Sequence, residues 1–114
     1  TLVYGYEREL RQVLSNLIKN AIDQLSESFQ EIRSLSIAFK ELDDFIGIRV
    51  MDNGGGIPEN ILPTIFDAYV STKDLNGTGL GLYMSKSIVE DHFHGELTAF
   101  NVDEGACFLI RLPK

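Results

Sequence analysis

At 114 residues the chain, 1–114, has room for one domain around a single modest core, and its 44% apolar and 24% charged residues mark an ordinary globular sequence. No apolar run approaches the roughly 18 residues that cross a bilayer, so any membrane attachment is expected outside this segment. A net charge of −7, from 17 acids against 10 bases, argues against a nucleic-acid binder and requires any anionic ligand to be held by local backbone dipoles or a metal.

The first candidate element is "TLVY", a short strand that opens abruptly, as in an N-terminally truncated piece of a longer protein. From Tyr6 to Phe29, Leu10, Val13, Leu14, Leu17, Ile18, Ala21, Ile22, Leu25 and Phe29 recur at three- and four-residue steps and predict an amphipathic helix. "LSIAFKEL" and "FIGIRVMD" read as two strands of an antiparallel hairpin turning at Asp43-Asp44. "PENILPTIF" suggests a short helix with Pro58 near its start and Pro63 limiting its length. "TKDLNGTG" is a polar loop, and "LGLYMSKSIVEDHF" a second amphipathic helix ended by "HG". "ELTAFNV" and "CFLIRLP" close the chain as a hairpin through "DEG". The expected class is α+β: a two-layer α/β sandwich whose mixed sheet is covered on one face by about three helices.

Three stretches ask for more than folding. At about 100° per residue, Glu9, Gln12, Asn16, Asn20, Asp23 and Glu27 share one direction on the first helix. A solvated face explains Glu9, Gln12 and Glu27. Asn16 and Asn20 fit it less well, because asparagine is a mediocre helix former. Amides at i and i+4 set neighbouring carbonyl oxygens where a hard cation can use them. Next, "DNGGGIP" holds Gly54, Gly55 and Gly56 where a simple turn needs one glycine. A planar or anionic ligand can lie against such bare main chain, and Asp52 at the strand end can accept from an exocyclic amine. Third, in "NGTGLGLYMSK" Gly77, Gly79 and Gly81 alternate before a helix whose N-terminal amides suit phosphate. The pattern is neither a P-loop nor the dinucleotide fingerprint.

His92 and His94 read as a helix C-terminal cap, with a metal pair or phosphoacceptor as the alternative. Cys107, the only cysteine, rules out an internal disulfide and sits naturally in a reducing compartment. Within its strand it is a small core or pocket-wall residue, since no basic neighbour lowers its pKa.

In this order the motifs resemble the ATP-binding catalytic domain of sensor histidine kinases, within the wider group that includes gyrase, MutL and the heat-shock chaperone ATPases. "ELRQVLSNLIKNAIDQL" is similar to the N box, "DNGGGIP" to the first glycine box and "IFDAYVSTK" to the F box. "GTGLGL" is similar to the second glycine box and "GACFLIRLP" to the C-terminal glycine-strand motif, so the resemblance covers nearly the whole chain.

The resemblance implies the Bergerat fold, with ATP held between the helical layer and a lid. Asp52 would bind the adenine amino group, with Gly54, Gly56, Ile57 and Cys107 around the base. Asn20 and Asn16 would hold Mg²⁺, with Asp23 beside the nucleotide. Gly77, Thr78, Gly79, Leu80, Gly81 and Leu82 would wrap the phosphate tail. Phe66 and Tyr69 would anchor the lid, and Lys73 would reach from its base. Asn16, Asn20 and Lys73 would carry the catalysis. Hydrolytic members place a glutamate where this chain has Asn16, which favours transfer to a protein nucleophile over hydrolysis. The sequence departs from the pattern at Ala68, often proline, at Cys107, often threonine, at His94, often glycine, and in a short "KDLN" lid.

The implied activity is transfer of the ATP γ-phosphoryl to a histidine on an upstream dimerisation domain, outside this chain. The implied partners are that domain and a cognate response regulator. The parent would be a homodimer and the isolated domain a monomer, in the cytoplasm, with inner-membrane anchorage of the parent left open. The alternatives are a nucleotide-binding interaction module without transferase activity and an anti-sigma-type serine kinase.

Overall fold

A computed structural model describes residues 7–26, 33–68 and 80–113. The "TLVY" strand, the last residues of the first predicted helix and most of the loop before "LGLYMSK" lie outside the described residues.

Helix α1 spans Glu7–Ser26. Its core stripe is Val13, Leu17 and Ala21, with Leu10 and Leu14 packed beside it. The predicted apolar set is broader than the face that is buried. Ile22 lies about 140° round the helix from Leu17, and it is 52% exposed.

Strands β1 (Leu35–Glu41) and β2 (Phe45–Asp52) form the expected hairpin, closed by the Leu42 N–H donating to the Phe45 carbonyl at 2.9 Å. Only a 3-10 turn, Leu62–Thr64, forms where a short helix was expected. Pro63 removes a donor, and its ring would strike the carbonyl of Glu59 in an α-helix. Helix α2 (Gly81–Ser87) runs into one π-helical turn, Ile88–His92, and strands β3 (Glu96–Val102) and β4 (Gly105–Pro113) follow.

The four described strands are antiparallel throughout, in the order β1-β2-β4-β3. A parallel neighbour, which the expected mixed sheet requires, is absent among them. Alternation sends Ile46, Ile48 and Val50 of β2, Phe108, Ile110 and Leu112 of β4 and Leu97 of β3 toward the helices. There they meet the α1 stripe and Val89 and Phe93 from the second helical segment. Each fully buried large apolar side chain contributes about 1.5–3 kcal/mol. The opposite sheet face is polar at Arg49, Thr98 and Arg111, which are exposed. The Arg111 guanidinium lies 4.3 Å from the Phe45 ring centroid and 3.7 Å from Glu96.

The second helical segment ends with His94 at φ 56, while the Gly95 N–H reaches back to the Val89 carbonyl at 2.9 Å. This is a left-handed helix stop built on a residue with a Cβ. His94, exposed, stands at the C-terminal stop itself, and His92 lies in the last helical turn, where the sequence placed them. His94→Gly is expected to raise stability by roughly 0.5–1 kcal/mol, the left-handed penalty less the extra chain entropy of glycine. Urea unfolding of the two proteins measures it.

Candidate functional site

The alternation that buries Ile46, Ile48 and Val50 carries Asp52 to the same helix-facing side, where it is 6% exposed. A carboxylate so placed is costly unless hydrogen-bonded. The Gly54 N–H donates to its Oδ1 at 2.8 Å.

The three glycines have three different reasons. A Cβ at Gly54 would stand 3.1 Å from both Asp52 Oδ1 and the Gln24 carbonyl, so the turn is wedged between the acid and the last turn of α1. Gly55 has φ 99 and open space around it, so its torsion alone demands glycine. Gly56, at φ 81, would set a Cβ 2.9 Å from Asn101 Oδ1. The expectation that all three glycines clear a ligand slot is therefore amended. At two of them the protein itself fills the space, and the bare surface offered outward is at Gly55.

The Gln24 contact brings the end of α1, with Asn20 and Asp23 in its preceding turns, to the glycine turn. Asn20 and Asp23 are both half-buried. Asn16 braces the two helices. Its Nδ2 donates to Ser85 Oγ at 3.1 Å and to the Gly81 carbonyl at 3.4 Å, while its Oδ1 accepts from Gln12 Nε2 at 3.0 Å. Ser85, fully buried, completes the brace by donating to the Gly81 carbonyl at 2.8 Å. The amide oxygen assigned to metal is thus already engaged by Gln12.

Ile57 is buried beneath the turn. Phe66 packs edge-on to Phe108, centroids 6.0 Å apart, with Lys86 Nζ 5.1 Å from the Phe66 centroid. That fixes the end of the F-box segment to the core. Leu80 precedes α2, Gly81 opens it exposed, and Leu82 packs against the core. Tyr69, Lys73, Gly77, Thr78 and Gly79 lie outside the described residues.

Cys107 is not brought to the acid. It pairs with Met51 and Phe100, so its side chain leaves the sheet on the face opposite Asp52, and Ala106 stands across from Asp52 instead. The resemblance implied the thiol beside the base, and the pairing register gives that place to Ala106. Burial pushes the Cys107 thiol pKa up; Arg49, a basic neighbour that the sequence did not reveal, opposes it, and the charge of Asp52 reinforces it. The thiol ionises first in the unfolded chain. Its contribution to stability is therefore intact below the ordinary thiol range and is lost as pH rises from there toward the folded value. A disulfide-exchange reagent at pH 8 is expected to leave Cys107 unmodified in the folded protein and to react within seconds once denaturant is added.

Ser85, Ala106 and Asn101 carry parts of the site that sequence reasoning passed over. Asn101 had left a signal: it is polar at the third inward position of "ELTAFNV", after Leu97 and Ala99.

A buried carboxylate next to bare main chain suits a planar ligand bearing an amine. Among the described residues no three His, Cys, Asp or Glu side chains group to hold a metal.

Helices on one face of an antiparallel sheet, with an acid and a glycine turn at one strand end, define an α+β sandwich domain with a candidate ligand site at that end. The model of the histidine kinase-, DNA gyrase B- and HSP90-like ATPases matches residues 5–114, and the chain belongs to that family. It is 39% identical over 117 residues to the two-component sensor PprA of Pseudomonas aeruginosa, covering 98% of this chain and 12% of that protein. It is 35% identical over 112 residues to sporulation kinase A of Bacillus subtilis, covering 98% of this chain and 18% of the relative. The chain thus spans under a quarter of the length of these relatives. The solved catalytic domain of histidine kinase ThkA superposes with a TM-score of 0.82 at 30% identity, covering 96% of this chain and 70% of that one. No helix among the described residues is long and apolar enough to cross a membrane.

Proposed function

We propose that the chain is the ATP-binding catalytic domain of a two-component sensor histidine kinase, passing the γ-phosphoryl of Mg-ATP to a histidine on a separate dimerisation domain. The observation that carries this reading is Asp52, buried beside a glycine turn that packs on the end of the asparagine-bearing helix. ATP supplies the phosphoryl group, and Mg²⁺ neutralises the charge that develops on it. Asp52 accepts from the adenine amino group, and Asn20 offers its amide oxygen to the metal. Asn16, tied to Ser85 and Gln12, keeps the start of α2 in place and has no basic atom with which to activate water. Its Oδ1 accepts from Gln12 and keeps a second lone pair that a metal could use. On the resemblance, the glycines at 77 and 79 would wrap the phosphate tail, Lys73 would reach toward it, and Tyr69 would anchor the lid. The phosphorylated domain would in turn serve a response regulator.

The test is incubation of the chain with Mg²⁺, terminally labelled ATP and a histidine-bearing helical hairpin from a related kinase. An acid-labile label on the hairpin is expected. Asn20→Ala is expected to lower labelling by about a hundredfold, given the reliance of phosphoryl transfer on charge neutralisation. Undiminished labelling by that variant removes Asn20 from the proposal. ATP binding with no transfer in the wild-type protein indicates a nucleotide-binding interaction module instead, and an acid-stable label points to a serine kinase.

A further inference from the structure

We propose that Asn101 is the positioning residue that locks the glycine turn against Asp52 and thereby sets the selectivity of the site for the purine amino group; this rests on the nucleotide reading above. Asn101 ends the inward row of β3 after Leu97 and Ala99, is its one polar member, and is paired across the ladder with Ala106. Its Oδ1 accepts from the Ile57 N–H at 2.7 Å, and its Nδ2 donates to the Ile57 carbonyl at 2.9 Å. One side chain thus serves both main-chain groups of one residue, as a neighbouring strand would, although Ile57 belongs to no strand. Ile57 is 5% exposed, so these groups would be poorly hydrated without that partner.

Only a carboxamide of this length fits the task. Aspartate lacks the donor, serine cannot span both groups, and glutamine is a methylene too long. Gly56 is the matching half of the device, because the space its Cβ would take is occupied by Asn101 Oδ1. The turn is then held at three successive places. Asp52 accepts from Gly54, the Glu104 carbonyl accepts from the Gly55 N–H at 2.8 Å, and Asn101 grips Ile57. Of these holds, Asn101 is the one side chain that can be exchanged without altering the acid or the main chain. Asp52, an acceptor, favours an amino group over a carbonyl only while its carboxylate is held in place, and the turn that donates to it does the holding. A loosened turn should therefore lose discrimination before it loses binding altogether.

Calorimetric titration of the 114-residue chain with Mg-ATP and with Mg-inosine triphosphate, which has a carbonyl in place of the amino group, tests this. Wild type is expected to prefer ATP. Asn101→Ala is expected to weaken ATP about tenfold and inosine triphosphate no more than about twofold, for two lost hydrogen bonds that act through the turn. Amide exchange at Ile57 should accelerate in the same variant. Should Asn101→Ala fold poorly, the near-isosteric Asn101→Asp, which keeps the acceptor and loses the donor, is read in the same way. A variant that keeps the wild-type preference, or weakens both nucleotides equally, overturns the inference. Wild-type protein that binds neither nucleotide overturns the nucleotide reading itself, and the selectivity role with it.

Discussion

Gly105→Ala is expected to destabilise the domain by more than about 3 kcal/mol, a large share of the 5–15 kcal/mol typical of such domains. A Cβ at this position would coincide with the carbonyl oxygen of Asp52, and would stand 2.6 Å from its carbonyl carbon and 2.8 Å from Asn53 Cα. All three atoms are main chain, so no rotamer change relieves the overlap. Room can come only from parting β2 and β4 at the Asp52–Ala106 rung, and β4 is a central strand with partners on both sides. The Gly105 carbonyl also lies 3.2 Å from where a Gly56 Cβ would stand, so the same movement disturbs the glycine turn. Urea unfolding should show a lower midpoint with an unchanged slope, and a midpoint like that of wild type would mean that the two strands do not meet as described. The adjacent Glu104, at φ 63, supplies a control of opposite sign. Glu104→Gly relieves a left-handed torsion on an exposed residue and should stabilise by roughly 0.5–1 kcal/mol.

Much of this architecture was written in local patterns. β1, β2 and β3 begin at Leu35, Phe45 and Glu96 as their sequence patterns predict. In β2 and β3 the apolar alternation is an imprint of the pleat, whereas the edge strand β1 leaves Ile37 and Phe39 exposed. Long-range pairing is where the patterns fail. The two residues that extend β4 back to Gly105 look like turn residues, and only their contact with Asp52 and Asn53 makes them strand. That extension fixes the parity which turns Cys107 away from the acid and presents Ala106. Periodicity likewise over-assigned Ile22, since an apolar residue on a helix says nothing of whether a neighbour exists to cover it. Asp52 and the glycine turn could be found as a candidate site because acid and triple glycine are anomalous in sequence. The Asn16–Ser85 brace and the Asn101 clamp join residues more than forty positions apart, and no local pattern carries them.

Asp52→Asn and Asp52→Ala should divide the two duties of the acid. The asparagine variant keeps an oxygen to accept from the Gly54 N–H, so the turn should stand. It loses the charge, and its amide nitrogen presents a donor where the ligand amine also donates. Nucleotide affinity is expected to fall by about 1–3 kcal/mol, or roughly 5- to 150-fold in Kd, measured by calorimetry with Mg-ATP. Stability should hold or rise slightly, because a buried charge is removed. Asp52→Ala removes the acceptor as well and leaves the Gly54 N–H without that partner. It should therefore lower the melting temperature in addition to the affinity. Equal affinity losses with unequal stability losses would assign recognition to the charge and support of the turn to the oxygen. Wild-type affinity in the asparagine variant would place the nucleotide elsewhere, since no other acid among the described residues sits buried beside the glycine turn.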